Sequence, residues 1–278
     1  MFDISDNYLE ALMEEDLPFM DLTTMSMGIG EVPGILECYP KRACVLAAVE
    51  EAARFFEKRC CEVEIIFPSG TLAEGEQVFM RVKGTAGAFH SCYKKAQIML
   101  EYCSGIATRT NDMLKNARTT NPLINVSVTR KHFPGGKALS LKAALIGGAS
   151  VHRLGLSDSI LSFDEHRVFV DDFLSLIPIM AKRFPEKKIG VEADSVQDDL
   201  NYVKAGADIV QCEKFKFDEL KYFVEEARSI SKSVIISAAG GINASNAAEY
   251  AATGVDLLVT SWVYFGKPED IKMRMSAR

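Results

Sequence analysis

The sequence predicts an α/β protein with an N-terminal α+β sandwich domain, over residues 1–110, and an incomplete TIM-like α/β barrel, over residues 111–278. Three observations support this fold class. The chain has 278 residues, enough for one barrel-sized domain and a smaller one. From residue 111 onward, apolar strand-like segments alternate with helical segments, as in a parallel sheet or barrel. Several of these strands end in charged residues, as strands do at a barrel mouth.

The first 110 residues mix helix and strand without a repeating unit. The polar cluster Asp21-Leu22-Thr23-Thr24 is typical of a helix cap. Apolar residues spaced by three or four predict helices, and apolar alternation between turn residues predicts strands. The predicted helices are 6–16, 41–58 and a long one that begins near Phe89 and passes Cys103; the predicted strands are 63–67 and 78–83.

The barrel region contains six or seven βα units, so a complete eightfold barrel is not required by the pattern. The pattern leaves open whether the last residues of the chain return to the N-terminal domain. The predicted strands are 124–129, 149–151, 160–163, 188–193, 208–212, 234–238 and 256–260. The predicted helices are 139–145, 168–184, 195–204, 217–229 and 245–252.

Charged residues follow four of the predicted strands. Cations follow the first two strands, and carboxylates follow the fourth and fifth. The residues are Arg130-Lys131, His152-Arg153, Glu192 with Asp194, and Glu213-Lys214. Because parallel strands deliver their C-terminal ends to one mouth, these groups are expected to meet there. Cations and acids together suit an anionic substrate and a metal-bound phosphate.

The period-two geometry of a strand places Glu192 and Asp194 on one face, and Glu213 on the same face as Gln211. Carboxylates that point into a barrel are costly unless a cation or a metal meets them. Two explanations stay open. One is an internal salt bridge to Lys131 or Lys214. The other is Mg²⁺ that carries a substrate pyrophosphate, since Mg²⁺ favours one or two carboxylates plus phosphate oxygens.

Adjacent glycines, Gly240 and Gly241, follow a late strand and precede a predicted helix. Glycines in this position let backbone N–H groups approach an anion, and the helix dipole adds to the attraction. A Gly-Gly turn can also be simple punctuation between elements. Its place after a late strand favours a phosphate site.

Composition excludes several classes of protein. Hydrophobic residues make up 48% of the chain, yet no apolar run reaches the length of about eighteen residues that a membrane helix requires. The first six residues are acidic rather than basic and apolar, which argues against a secretory signal. The net charge of −6 argues against nucleic acid as a partner. We therefore expect a cytoplasmic protein.

Four motifs, in this order and spacing, resemble the quinolinate phosphoribosyltransferase family. They are Asp21-Leu22-Thr23-Thr24, Ser104-Gly105-Ile106-Ala107-Thr108, Thr129-Arg130-Lys131-x-x-Pro134-Gly135 and His152-Arg153-Leu154-Gly155-Leu156. The resemblance covers about residues 10–262. The segments Lys131-His132-Phe133-Pro134-Gly135 and Asp164-Glu165-His166-Arg167 are similar to the ModD branch, named for its association with molybdate transport.

The resemblance implies an enzyme that transfers phosphoribose from phosphoribosyl pyrophosphate (PRPP), with Mg²⁺, to a pyridine nitrogen, as in NAD biosynthesis. Pyrophosphate leaves, and CO₂ follows. It also implies a homodimer in which the N-terminal domain covers the barrel mouth of its neighbour. The matching residues are a cationic pocket of Arg130, Lys131, His152 and Arg153, the acids Glu192 and Glu213 for ribose and metal, and Gly240 and Gly241 for the 5′-phosphate.

Two departures from the family pattern fall on the acceptor side. Lys94 stands where the neighbouring subunit normally inserts an arginine, so the bidentate fork that suits a carboxylate is lost. Phe163 stands where the family has a lysine. If Phe163 lines the pocket, a dianion such as quinolinate loses one charge-assisted hydrogen bond, roughly tenfold to a hundredfold in affinity. Strand alternation also allows Phe163 to be ordinary core.

The sequence therefore predicts a phosphoribosyltransferase with catalytic residues Lys131, Glu192 and Glu213, a Mg²⁺ cofactor, and quinolinate or another heterocyclic acid as acceptor. The alternative is a non-catalytic protein that binds a phosphosugar or heterocycle and is linked to molybdenum transport. Its hallmark is the loss of the metal-binding acids, and Glu192 and Glu213 are present.

Overall fold

The structure is a computed structural model that describes residues 3–193 and 195–278. Met1 and Phe2, which open the acidic start of the chain, and Asp194, which was placed beside Glu192, lie outside the described residues. The helices are α1 (Asp6–Glu14), α2 (Leu22–Met27), α3 (Val49–Glu57), α4 (Ala86–His90), α5 (Tyr93–Arg118), α6 (Lys137–Ile146), α7 (Asp164–Arg167), α8 (Phe173–Arg183), α9 (Val196–Lys204), α10 (Phe217–Ile230) and α11 (Ala247–Ala252). The strands are β1 (Pro33–Pro40), β2 (Cys44–Val45), β3 (Glu62–Ile65), β4 (Leu72–Ala73), β5 (Met80–Thr85), β6 (Asn125–Val128), β7 (Ser150–Val151), β8 (Ile160–Ser162), β9 (Ile189–Ala193), β10 (Ile209–Glu213), β11 (Ile235–Ala239), β12 (Leu257–Thr260) and β13 (Ile271–Ala277).

The chain forms two compact units. The first contains residues 1–109, 134–147 and 266–278, and the second contains residues 110–133 and 148–265. In the described part of the first unit, four strands form a sheet in the order β13-β1-β5-β3, with antiparallel pairing throughout. Every second residue of β1 from Gly34 is buried, as expected for a sheet with one face on a core. The sequence analysis did not predict β1 or β13.

The predicted helix 41–58 is shorter than expected, because its first part is extended. Residues Cys44–Val45 form β2, and α3 begins only at Val49. Two side chains of α5 hold this segment: Ser104 accepts a hydrogen bond from the Ala47 N–H at 3.1 Å, and Thr108 accepts one from Val45 at 2.9 Å. The motif at residues 104–108 thus accepts hydrogen bonds from backbone N–H groups that would otherwise be buried without a partner.

In the described part of the second unit, seven parallel strands form a sheet in the order β7-β6-β12-β11-β10-β9-β8. The strands predicted for this region are all present, with ends shifted by at most one residue. The register places Gln211 beside Glu192 and Glu213 beside Ala239. The predicted fold class is confirmed.

The seven-stranded sheet curls until its two edges come close. Arg153 follows the edge strand β7 and Phe163 follows the opposite edge strand β8, yet the guanidinium carbon lies 5.3 Å from the centre of the phenyl ring. The strands therefore form a half-barrel with one shared mouth.

The predicted helix 168–184 also begins later than expected. The short helix α7 comes directly after β8, and α8 begins at Phe173. Asp172 caps α8, because its carboxylate accepts a hydrogen bond from the Ser175 N–H at 3.2 Å. Over residues 3–193 and 195–278, no helix is long and apolar enough to cross a membrane.

Candidate active site

A cavity of about 680 Å³ opens at the C-terminal ends of the strands in the second unit. Nine of the predicted site residues line it: Arg130, Lys131, His152, Arg153, Phe163, Glu192, Glu213, Gly240 and Gly241. They come from the ends of six different strands and are brought together by the curl of the sheet. The structure thus places these residues in one pocket; the roles assigned to them remain predictions.

The cationic side of the cavity follows β6 and β7. The Thr129 hydroxyl accepts a hydrogen bond from the Lys131 N–H at 3.1 Å, and the Thr129 carbonyl accepts one from the Tyr264 hydroxyl at 3.2 Å. These contacts fix the turn that carries Arg130 and Lys131, whose side chains are exposed. The turn therefore presents two exposed cationic side chains on a backbone held by hydrogen bonds.

His152 and Arg153 are less exposed than the two cations of the β6 turn. Burial, and then the adjacent Arg153, lower the pKa of His152 to about 4. His152 is therefore neutral at neutral pH. Arg153 is 7% exposed, and its Nε has no hydrogen-bond partner among the described residues. Burial, followed by the charge of Arg130, lowers the pKa of Arg153.

The acidic side of the cavity follows β9 and β10. Gln211 is 4% exposed and donates a hydrogen bond from its amide to the Glu192 carboxylate. Burial raises the pKa of Glu192, the Gln211 hydrogen bond opposes that rise, and the Glu213 carboxylate adds to it. Glu213 has a loose ion pair with Lys214, 3.6 Å between Oε1 and Nζ. In the part of the chain that the structure describes, Glu213 therefore forms an ion pair of the predicted kind and Glu192 does not.

The Gly-Gly turn is fitted closely against the end of β10. Gly240 has φ +90°, and a Cβ at this position would lie 2.5 Å from Lys214 Cγ and 2.9 Å from Glu213 Oε1. Gly241 has φ +75° with open space around it. The Gly241 carbonyl accepts hydrogen bonds from the side-chain amides of Asn243 and Asn246, both at 3.2 Å. The loop is held in place, and glycine is required at its first position.

Sequence reasoning did not select several residues that line the same cavity. Among them are Glu165, Gln211 and Trp262. Gln211 was placed on the same face as Glu213, which was a sufficient signal. Trp262 follows β12, the last strand of the second unit, and its position after a strand end could have identified it.

Lys94 lies in the first unit and lines a different cavity, of about 730 Å³. Its Nζ donates a hydrogen bond to Gln97 Oε1 at 2.8 Å and lies 5.2 Å from the centre of the Tyr93 ring. Asp21 and His90 also line this cavity. The Lys94 side chain is exposed.

Comparison with known proteins agrees with this architecture. Residues 21–104 match the sequence profile of the quinolinate phosphoribosyl transferase N-terminal domain, and residues 106–274 match that of the C-terminal domain. The chain is 33% identical over 276 residues to a pyrophosphorylase named ModD from Pasteurella multocida, covering 98% of both proteins. It is 39% identical over 250 residues to a ModD pyrophosphorylase from Rhodobacter capsulatus, covering 89% of this chain and 96% of the relative.

A solved structure has the same fold. The nicotinate-nucleotide pyrophosphorylase from Ehrlichia chaffeensis superposes with a TM-score of 0.92 at 20% identity, covering 99% of this chain and 100% of that one. The predicted resemblance is confirmed, since the C-terminal profile alone spans more than half of the chain and the ModD relatives cover nearly all of it. The relatives named above are called pyrophosphorylases, and the protein belongs with them to the quinolinate phosphoribosyltransferase family.

Proposed function

We propose that the barrel cavity binds PRPP and a nitrogen heterocycle with a carboxylate, and that it transfers phosphoribose to the ring nitrogen with release of pyrophosphate. Family membership supports the transferase reaction. The observation that carries the proposal is that the strand ends bring three kinds of group into one cavity: the carboxylates of Glu192 and Glu213, cations that include Arg130, Lys131 and Arg153, and a tight Gly-Gly turn. The acceptor is quinolinate, the compound in the family's name, or a related heterocyclic acid.

The acidic side of the cavity fits Mg²⁺. Mg²⁺ prefers oxygen ligands and is usually held by one or two carboxylates together with substrate phosphates. Glu192 and Glu213 supply carboxylates, and the buried Gln211 Oε1 lacks a hydrogen-bond partner among the described residues. The described residues contain no group of three or more His, Cys, Asp or Glu that could hold a metal ion. Such a site is complete only with oxygens of the substrate.

The chain's own residues divide the work. Glu192 and Glu213 hold the ribose hydroxyls and the metal, while the Gly240–Gly241 turn receives the 5′-phosphate. Arg130, Lys131 and Arg153 hold anionic groups of the two substrates. When bound, Mg²⁺ neutralises charge on the departing pyrophosphate.

The bond between ribose C1′ and the pyrophosphate oxygen breaks, and its electron pair leaves with pyrophosphate. The lone pair of the ring nitrogen forms the new bond to C1′. A pyridine nitrogen carries no proton, so the step needs no general base. His152, which is neutral at pH 7, can donate a hydrogen bond to an acceptor carboxylate without adding charge.

We propose further that the functional unit is a homodimer in which Lys94 completes the partner's cavity. Lys94 is exposed in the first unit and lies beside the exposed apolar residues Met20, Leu22 and Met27, which line the same cavity. An exposed apolar patch of this kind is typical of an interface. Mixing Lys94→Ala with Lys131→Ala protein should restore part of the activity, because hybrid dimers hold one intact site. A monomer in sedimentation at micromolar concentration contradicts this assembly.

The proposed function is tested by PRPP binding. Trp262, the only tryptophan of the chain, lines the cavity and serves as a fluorescent reporter. PRPP with Mg²⁺ should change its emission, and Glu192→Gln should abolish this magnesium-dependent change while leaving the melting temperature largely intact. Glu225→Gln, on the exposed side of α10, is the matched control and should bind normally.

Two results separate the possible outcomes. An unchanged PRPP affinity of Glu192→Gln in calorimetry contradicts the assignment of Glu192. PRPP binding by the wild-type protein without release of pyrophosphate, across a panel of heterocyclic acids, contradicts catalysis and favours the non-catalytic alternative.

A further inference from the structure

Glu165 brings a third carboxylate to the cavity, in addition to Glu192 and Glu213. It lies on α7, directly after the edge strand β8, and lines the cavity together with Phe163. Its side chain is exposed, and no ion pair or hydrogen bond to its carboxylate is found among residues 3–193 and 195–278. A carboxylate in a cavity for anionic substrates needs a reason to be there.

The helix that carries Glu165 is anchored on both sides of it. The Phe163 N–H donates to His166 Nδ1 at 3.1 Å, and the two rings stack with centres 5.7 Å apart. Arg167 donates to the Ser162 carbonyl at 3.3 Å and pairs with Asp164. The Arg167 guanidinium also lies 5.6 Å and 5.4 Å from the ring centres of Phe173 and Tyr202. The backbone under Glu165 is therefore fixed.

The cavity that Glu165 lines also holds other charges of both signs. Glu165 is close enough to Glu192 to add to the rise in the pKa of that residue, for which burial is the main cause. The Arg153 guanidinium is covered by the Phe163 ring, with 5.3 Å between the guanidinium carbon and the ring centre. Arg130 and Lys131 remain as the exposed cations of the cavity's β6 turn. An acceptor in contact with Phe163 thus shares the cavity with two exposed cations and with the Glu165 carboxylate.

We propose that Glu165 determines acceptor specificity by accepting a hydrogen bond from an N–H group of the heterocycle, so that the acceptor is a flat ring with one carboxylate and one amino or ring N–H donor. The inference rests on the proposed function, since it concerns the acceptor of that reaction. The proposed acceptor differs from a pyridine dicarboxylate, which would place a second anionic group near Glu165.

The physical reason is the sign of the interaction. A charge-assisted hydrogen bond from an N–H group to a carboxylate changes affinity by about tenfold to a hundredfold, and a site built for a donor rejects a ligand that lacks it. A ligand carboxylate near Glu165 is instead repelled, which is discrimination by an unfavourable contact. Phe163 offers the flat apolar face on which such a ring stacks.

Three pyridine-3-carboxylic acids that differ only at ring position 2 test the inference: nicotinate with hydrogen, 2-aminonicotinate with an amino group, and quinolinate with a carboxylate. Each is titrated by calorimetry in the presence of Mg²⁺ and ribose 5-phosphate, which occupies the sugar site without reacting. The wild-type protein should bind 2-aminonicotinate at least about tenfold more tightly than quinolinate. Glu165→Gln should reduce the ratio of the affinity for 2-aminonicotinate to the affinity for quinolinate by about tenfold to a hundredfold. The affinity for nicotinate should change less.

Glu225→Gln, an exposed substitution of the same type outside the cavity, should keep the wild-type ratio. A ratio that is the same in Glu165→Gln and in the wild-type protein overturns the inference, and so does a wild-type preference for quinolinate. PRPP binding and pyrophosphate release are measured in parallel. If they persist while the ratio does not respond, the role of Glu165 is wrong and the proposed function stands; if PRPP does not bind, the proposed function itself fails.

Discussion

Alanine substitution at the two adjacent glycines of the Gly-Gly turn should have clearly different effects. Both residues have positive φ, +90° at Gly240 and +75° at Gly241. An L-residue in the left-handed region costs about 1–2 kcal/mol. Replacing glycine also restricts the unfolded chain, which returns about 0.4–1 kcal/mol. Gly241→Ala has open space for its methyl group, so we expect a net loss of about 1 kcal/mol.

Gly240→Ala carries a second cost. Its Cβ would lie 2.5 Å from Lys214 Cγ and 2.9 Å from both Glu213 Oε1 and the Lys214 backbone nitrogen. The lysine side chain is exposed and can move, but the backbone nitrogen is fixed by its hydrogen bond to the Ala239 carbonyl at 2.9 Å. Overpacking of this kind costs about 1–3 kcal/mol, so the total loss should be about 2–4 kcal/mol. The displaced Glu213 should also weaken magnesium-dependent binding of PRPP.

Thermal and urea unfolding of the two variants measure this difference directly. At about 2–4 °C per kcal/mol for a protein of this size, Gly240→Ala should melt several degrees below Gly241→Ala. Comparing two neighbouring variants removes errors that arise if the two units unfold separately. Equal melting temperatures for the two variants would refute the close fit between the Gly-Gly turn and the end of β10. A normal affinity of Gly240→Ala for PRPP would refute the link to Glu213.

Three further predictions concern stability. The pKa of His152 is lowered to about 4 in the folded protein, so the unfolded chain binds more protons between pH 6.5 and 4 and wild-type stability should fall across that window; denaturant titrations should show a smaller fall for His152→Gln. Lys142→Met leaves the 1% exposed Glu51 carboxylate without its ion-pair partner and should cost about 3–5 kcal/mol in thermal unfolding, which Glu51→Leu in the same chain should largely reverse. Ser104→Ala removes the acceptor for the Ala47 N–H and should cost about 1–3 kcal/mol in urea unfolding, whereas Ser229→Ala on an exposed part of α10 should be neutral.

The barrel was predictable because its signals are local. Six of the seven strands are short apolar runs that end in a charged or glycine-containing segment, so both the strand and its site residues could be read from the same few positions. The parallel register then brings together Glu192 and Gln211, which are 19 residues apart in the chain. Period two placed Gln211 and Glu213 on the face that lines the cavity.

The first unit was less predictable, because its sheet depends on distant pairing. Strand β1 pairs with β13 from the end of the chain, and neither strand ends in a recognisable turn with the other. The segment before α3 has helical composition but is extended, since Ser104 and Thr108 take its backbone donors. Tertiary hydrogen bonds overrode the local preference here.

Phe163 and Glu165 show where sequence reasoning about the site reached its limit. Alternation left open whether Phe163 faced the mouth or the core, and the structure places both Phe163 and Leu161 in the lining of the cavity. Glu165 lies beyond the strand, on a helix too short to be recognised by periodicity. Its position depends on the anchoring of Arg167 between two rings, which no local pattern reveals.

In the proposed site, the position of these residues in the sheet would allow the acceptor side to change while the PRPP side is kept. The acids and the Gly-Gly turn follow β9, β10 and β11, which are inner strands paired on both sides, so a shift in one strand disturbs two neighbours. Arg153, Phe163 and Glu165 follow β7 and β8, the short edge strands that pair on one side only. Loops after edge strands can accept new side chains with little effect on the sheet. Acceptor specificity is therefore expected to reside in the segments after β7 and β8, and substitutions there should alter the choice of heterocycle without loss of PRPP binding.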